Sequence, residues 1–323
     1  MTDPVTPLDL SGVTTYSVHT RHSTVSRDDF ATPWSCGRSF SQFLDTLPSI
    51  LAGSDLRHVI RAITEAASAG RPVCFAMGAH VIKVGLNPVV IDLMNRRILS
   101  MISMNGAGII HDFEIALTGK TSEDVAASLG YGGFGMARET AVFLSRAIAR
   151  AGQTGTGLGR AVGELILEED LPFKDQSLTA AGARLDIPVT VHVALGTDII
   201  HMHPDFDPAA CGQASHLDFR RFASVIAGLE HGVFINAGSA VILPEVFLKA
   251  LTLVRNLGHS PDCFTTVNLD FIRQYRPMTN VVNRPTLKGG KGYSIVGHHE
   301  LLIPLIAAGV LEALSQTAPS DAQ

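Results

Sequence analysis

A doubly wound α/β domain, its mostly parallel sheet covered by helices on both faces, is the architecture this sequence predicts. Three observations lead there. Apolar runs too short for helices recur along the chain, each stops at a glycine or a small polar turn, and a segment of helical spacing usually follows. Strands buried on both faces read as continuous apolar runs, and strands alternating with helices pair in parallel.

The elements follow in order. Residues 1–50 are irregular and rich in Ser, Thr and Asp, and read as a surface arm. Leu56, Val59, Ile60, Ile63 and Ala67 mark one face of a helix that Gly70 ends. Val73 to Met77 is the first buried strand, stopped by Gly78. Asn87-Pro88 supplies an N-cap and an N1 proline for a helix over Val89 to Arg97. Ile98 to Met104 is a strand stopping at Asn105-Gly106-Ala107-Gly108, with helical spacing through Phe113 and Leu117. Gly152 to Asp175 is the loosest stretch and reads as an excursion at the sheet edge. Further strands are Pro188 to Leu195, Gly232 to Asn236 and Cys263 to Val267. Further helices are His216 to Leu229, Pro244 to Leu257 and Leu301 to Leu314. No linker divides the chain. The expected organisation is one α/β domain over 51–318, between the arm and a tail at 319–323.

Composition narrows the class. An apolar content of 46% supplies a packed core, and a net charge of −5 without basic runs argues against nucleic acid. No apolar stretch reaches the roughly 18 residues a membrane span needs, and Met1 to Asp9 lacks a signal pattern. Cys36, Cys74, Cys211 and Cys263 show no paired spacing; Cys74 and Cys263 lie in apolar runs and read as reduced core thiols. A cytoplasmic protein without membrane partners is expected.

Chemistry is expected beyond the carboxyl ends of the strands. Gly78-Ala79-His80, Asn105 to Gly108, Gly196-Thr197-Asp198, Ala237-Gly238-Ser239 and Gly297-His298-His299 all fall there. Each glycine is compatible with a plain turn; several together outline a nucleotide site. Gly155-Thr156-Gly157-Leu158-Gly159 looks like a phosphate loop but follows no strand, and reads as a flexible turn. His80, His111, His201, His203, His298 and His299 gather at the same strand ends. His201 and His203 would point to one side of an extended segment, as metal ligands do, while hydrogen-bonded loop histidines fit equally. Imidazole titrates near neutrality, so one of them as acid or base is the stronger functional reading. Lys288 and Lys291, flanked by Gly289, Gly290 and Gly292, are solvated lysines or else an imine-forming amine or a cation for an anionic substrate.

At these strand ends the chain resembles the deoxyhypusine synthase family, which includes bacterial homospermidine synthases. The likeness runs in order from Cys36-Gly37-Arg38-Ser39-Phe40 to Pro304-Leu305-Ile306. Phe75 to Gly85 resembles the family's first strand and NAD-binding turn, and Asn105 to Asp112 its Thr-Ala-Gly-Gly-Val-Glu-Glu-Asp block. Ile187 to Asp198 resembles its Ile-Pro-Val…Ala-Leu-Thr-Asp-Gly segment. Gly238-Ser239 sits at its Gly-Gly-Gly turn, and His298-His299 at an Asp-Ala pair that touches NAD.

The resemblance implies a Rossmann-like homotetramer binding NAD between paired subunits. NAD takes a hydride from the carbon beside a substrate nitrogen, and a lysine captures the imine for group transfer to an acceptor amine. It implies cofactor contacts at Ala79, His80, Val81, Ile82, Lys83, Asn105, Gly106, Ala107, Asp198, Gly238, Ser239, His298 and His299. Ile110, His111, His201 and His203 would face the substrate, His111 serving also as acid or base. The departures are chemical. Two family glutamates fall at Ile110 and His111, a polyamine-binding aspartate falls near His201, and a family histidine falls near Pro244. The Trp-Gly-Lys around the nucleophile is missing, the only tryptophan being Trp34, so Lys288 or Lys291 stands as a displaced substitute. A polycation needs carboxylates opposite its ammonium groups. The expected function is therefore NAD-dependent oxidation of a small amine- or amino-acid-like substrate other than spermidine, with no metal. Two alternatives stand. One is a true deoxyhypusine or homospermidine synthase whose carboxylates come from Glu114, Asp205 or Asp207. The other is a histidine-metal hydrolase or a non-catalytic nucleotide-binding protein.

Overall fold

In a computed structural model describing residues 5–317, six strands form one sheet, all parallel. The tail at 319–323 lies outside the described residues. The strands are β1 (Val73–Met77), β2 (Met101–Asn105), β3 (Val189–His192), β4 (Val233–Ala237), β5 (Thr265–Asp270) and β6 (Lys291–Val296). Their spatial order is β3-β2-β1-β4-β5-β6, so the winding direction reverses between β1 and β4. This is the expected doubly wound, Rossmann-like sheet.

Helices in chain order are α1 (Phe40–Thr46), α2 (Leu51–Ser68), α3 (His80–Lys83), α4 (Asn87–Asn95), α5 (Gly106–Thr118), α6 (Val125–Leu129), α7 (Arg138–Thr154), α8 (Leu158–Glu168), α9 (Leu178–Leu185), α10 (Pro208–Ala227), α11 (Ile242–Asn256), α12 (Tyr275–Pro277) and α13 (His299–Thr317). On one face, Val59 and Ile63 of α2, Leu93 of α4 and Ile303, Ile306 and Val310 of α13 pack on Phe75, Ile235, Val267 and Leu269. On the other, α10 and α11 bring Phe222 and Phe247 against Phe234, the Phe234 and Phe247 rings stacked 3.8 Å apart. Every residue of β1 and β4 is buried, as strands covered on both faces must be.

The structure corrects several local expectations. Gly152 to Asp175 is no loose edge: Gly155, in the left-handed region at φ +64°, closes α7, and α8 buries Leu158, Val162, Leu165 and Ile166. Asn87 does not cap α4. It lies inside the helix and donates from Nδ2 to the Gln176 carbonyl at 2.7 Å. Cys263 is exposed ahead of β5 rather than buried within it, whereas Cys74 is buried as expected. The segment containing Lys291 is an edge strand. The arm carries a short 3-10 helix at Arg27–Asp29 and one α-helix, α1, whose last carbonyls (Leu44 and Leu47, with Pro48 beyond) accept from the Arg57 guanidinium. Among the described residues no helix is long and apolar enough to cross a membrane.

Candidate functional site

The winding reverses where β1 and β4 end side by side, Met77 in register with Ala237. Here the two turns touch. A Cβ on Gly78 would lie 2.6 Å from the Gly238 carbonyl oxygen, and Gly238 itself has φ +71°. Only glycine permits this approach of two backbones. His299 props the Gly238 turn from below: its Nε2–H donates to the Leu269 carbonyl at 3.0 Å, and a Cβ on Gly238 would meet its ring. Its buried Nδ1 has no partner. The Ser239 hydroxyl accepts from Leu243 N at the start of α11, a helix whose N-cap residue, Val241, offers no capping side chain.

One strand away, Asn105 caps α5 by accepting from Gly108 N at 3.2 Å. The Asp198 carboxylate lies against the same helix end. A Cβ on Gly106 would collide with Asp198 Oδ2, an atom buried without a partner. Burial pushes the Asp198 carboxyl up, with His201 pulling the other way.

Between α3, α5 and the loop after α5 lies a cavity of about 480 Å³. Its walls carry Lys83, Ile110, His111, Glu114, Lys120, Glu123 and Asp198. His111 and Glu114, three apart on α5, share a helix face. His111 Nδ1 lies 2.6 Å from the Thr121 hydroxyl, which donates to Glu114 Oε2 at 2.5 Å; Thr140 donates to Glu114 Oε1 at 3.3 Å. Burial first and the Lys83 charge second hold His111 down to about 4, so its ring is neutral at neutral pH.

The structure thus places Ala79, Asn105, Gly106, Ala107, Asp198, Gly238 and Ser239 beyond the carboxyl ends of the strands, and Lys83, Ala107, Ile110, His111 and Asp198 line the cavity. Val81 and Ile82 are core side chains. His80 is exposed near His299, their rings 5.8 Å apart. His298 is exposed and stacks on Phe271. His201 and His203 hold the loop after β3 instead of facing a ligand together: His201 Nδ1 accepts from Gly196 N and Asp198 N, and His203 Nε2 donates to the Gly135 carbonyl. No group of three metal-ligating side chains converges among the described residues.

Lys288 and Lys291 are at the wrong end. Lys291 pairs with Thr265, which pairs with Val233, the first residue of β4 and neighbour of Val73. Both lysines therefore lie at the amino edge, on the order of 15 Å or more from the turns at about 3.3 Å per residue. Within the protomer the amines of the cavity are those of Lys83 and Lys120. Sequence reasoning missed Thr121, Thr140 and Glu123, which carry no local pattern.

The phosphate-loop lookalike is also explained. The N-terminus of α8 already holds an anion, Asp218, whose Oδ2 accepts from Gly159 N at 3.1 Å and Val191 N at 3.0 Å.

No protein-family model and no curated protein sequence matches this chain. Solved structures do. The AgrE complex with ornithine and NAD+ matches at 16% identity over 84% of this chain and 35% of that one, with a TM-score of 0.54. Apo ArgZ, an arginine dihydrolase of the ornithine-ammonia cycle in cyanobacteria, matches at 14% identity over 80% of this chain and 33% of that one, TM-score 0.51. A candidate deoxyhypusine synthase from Entamoeba histolytica aligns over 88% of this chain and 97% of that one, at 10% identity and TM-score 0.46. The chain spans about a third of the length of the ArgZ and AgrE chains it matches. What it shares with those two is the fold, a parallel α/β domain of Rossmann-like winding.

Proposed function

We propose that this chain is an NAD-dependent enzyme that oxidises a small amine- or amino-acid-like substrate, binding the cofactor at the β1/β4 reversal and the substrate in the cavity that His111 lines. The observation that carries the proposal is the contact of Gly78 with Gly238 at the chain reversal, where parallel α/β sheets bind ligands. AgrE, of the same fold, was crystallised with ornithine and NAD+.

The residues fit a dinucleotide. The Gly78 and Gly238 turns bring two backbone segments together with no side chain between them, and α11 starts beside them with an N-cap residue that offers no capping side chain. Asp198 holds the end of α5, so no phosphate belongs there; its unpartnered Oδ2 instead suits a ribose or amide donor. Bound NAD would supply a two-electron acceptor for hydride. The chain's own part is to orient the substrate and handle its protons. Lys83 and Lys120 suit a carboxylate, Glu123 an ammonium group, and neutral His111 a proton. This mixture of signs suits a zwitterion better than spermidine. Glu114 does supply a carboxylate, as a polyamine synthase would require, but both of its oxygens are engaged by threonines. The exposed Val241, Phe271, Ile272, Tyr275 and Val296 near the carboxyl edge support assembly of subunits around the site, as in the expected homotetramer.

Calorimetric titration with NAD+ tests the reading. The wild-type chain should bind, and Gly78→Ala, whose methyl group meets the Gly238 carbonyl, should weaken binding at least tenfold. A wild-type protein that shows no heat with NAD+ overturns the proposal.

A further inference from the structure

We infer that Glu114, Thr121 and His111 form a proton relay that fixes the imidazole as its Nδ1–H tautomer and turns a free Nε2 lone pair to the substrate cavity. Given the proposed oxidation, on which this rests, His111 is the catalytic base and Glu114 and Thr121 are its positioning residues.

Donor and acceptor counts decide the tautomer. A threonine hydroxyl has one proton, and an ionised carboxylate only accepts. The Thr121 proton goes to Glu114 Oε2 at 2.5 Å, so what lies 2.6 Å away at His111 Nδ1 must itself be a donor, an N–H. Neutral imidazole carries a single N–H, which leaves Nε2 unprotonated. Among the described residues nothing bonds Nε2. The Thr140 hydroxyl donates to the other oxygen of Glu114 at 3.3 Å, a second bond that favours the rotamer meeting Thr121. Chain geometry supplies the parts: α5 sets His111 and Glu114 on one face, and the left-handed Gly119 (φ +70°) turns the chain so that Thr121 returns between them. The cavity's other charges are Lys83, Lys120, Glu123 and Asp198. Lys83 opposes protonation of the ring, and Glu114, reached through the hydroxyl, compensates once a proton arrives.

In the step itself, a substrate N–H gives its proton to Nε2, its electron pair staying on nitrogen. The ring becomes imidazolium, its Nδ1–H still bonded to Thr121. An amine releases hydride from the neighbouring carbon only with that pair free, so proton transfer to His111 comes first.

The test is nitrogen NMR of the full chain labelled at histidine. In the wild type at about neutral pH, His111 should show a protonated Nδ1 and a bare Nε2. Thr121→Val should shift the ring toward the Nε2–H form, and Thr121→Ser should restore it. Glu114→Gln provides a second variant in which the preference is weakened. A wild-type ring in the Nε2–H form, or one unmoved in both Thr121→Val and Glu114→Gln, overturns the relay. With a turned-over amine, Thr121→Val should lower kcat/KM by about tenfold to a hundredfold, and serine should recover it. The tautomer is read on the free protein, so a failure to bind NAD+ leaves the relay standing, and a wrong tautomer leaves the cofactor proposal standing.

Discussion

Taken together, His192, His111 and Asp218 should cost this fold roughly 2 to 3 kcal/mol between about pH 7.5 and about pH 5; burial also raises the Asp112 and Asp198 carboxyls, which work against that loss. His192 ends β3 wholly buried against Phe222, its Nε2 at 3.0 Å from the Thr190 hydroxyl, and burial holds it down to about 3. His111 is held down to about 4. Both titrate near 6.5 in the unfolded chain, so the folded state refuses a proton that the unfolded state takes. That stability is complete above about pH 6.5 and drains away as pH falls toward the folded values. At about pH 5 the loss is about 2 kcal/mol for His192 and about 1 to 2 for His111, which is partly open to its cavity. Asp218 runs the other way. Burial raises its carboxyl to about 6, so the folded state protonates first and regains about 1 kcal/mol as pH falls from about 6 to 5. Urea denaturation at the two pH values measures the difference. His192→Gln can still pair with Thr190 but cannot take a proton. Its pH-linked loss should therefore be smaller than the wild type's by about 2 kcal/mol. Equal losses in variant and wild type would refute the assignment of the acid sensitivity to that ring.

Backbone geometry and capping set the other outcomes. Gly157→Ala should destabilise by about 2 to 4 kcal/mol, since its methyl group would collide with the buried Asp218 Oδ1. Gly155→Ala, in open space but at φ +64°, should cost only about 1 kcal/mol by denaturant midpoint. Arg57→Ala should release α1, costing about 1 to 3 kcal/mol as three carbonyls lose a charged donor, and amide exchange at 40–47 should accelerate while the sheet stays protected. Unchanged exchange there would disprove the tie.

What was legible in the sequence is what local burial dictates. β1, β2 and β4 are buried on nearly every residue, and their apolar runs announced them. β6 is an edge strand whose Lys291-Gly292-Tyr293-Ser294 shows no apolar alternation and stays half exposed, so periodicity missed it. The lysines failed for a geometric reason. Lys291 and His298 are seven positions apart, yet a parallel strand between them puts one at each edge of the sheet. Sequence distance carries no record of which end of a strand a loop occupies once that strand goes unrecognised.

The glycine motifs obey a second rule that composition cannot express. A helix N-terminus offers unpaired N–H groups to any anion, and several here are already served by the chain itself. Asp218 fills that of α8, Asp207 that of α10, and Asp112 that of α9 through Leu178 N and Thr179 N, while Asp198 lies against that of α5. An external phosphate is excluded wherever a carboxylate has arrived first. This is why Gly155 to Gly159, the most phosphate-like run in the sequence, cannot hold one. At α11 the capping position is held by an apolar residue, Val241, beside the touching glycines after β1 and β4; the Ser239 hydroxyl serves Leu243 N and Glu245 lies in the first turn, but among the described residues no carboxylate occupies the cap itself. The proposed anion site lies at the point where the winding reverses, and telling it from the helix ends the chain already serves needs the three-dimensional pairing of Asp with helix, which no motif alone records.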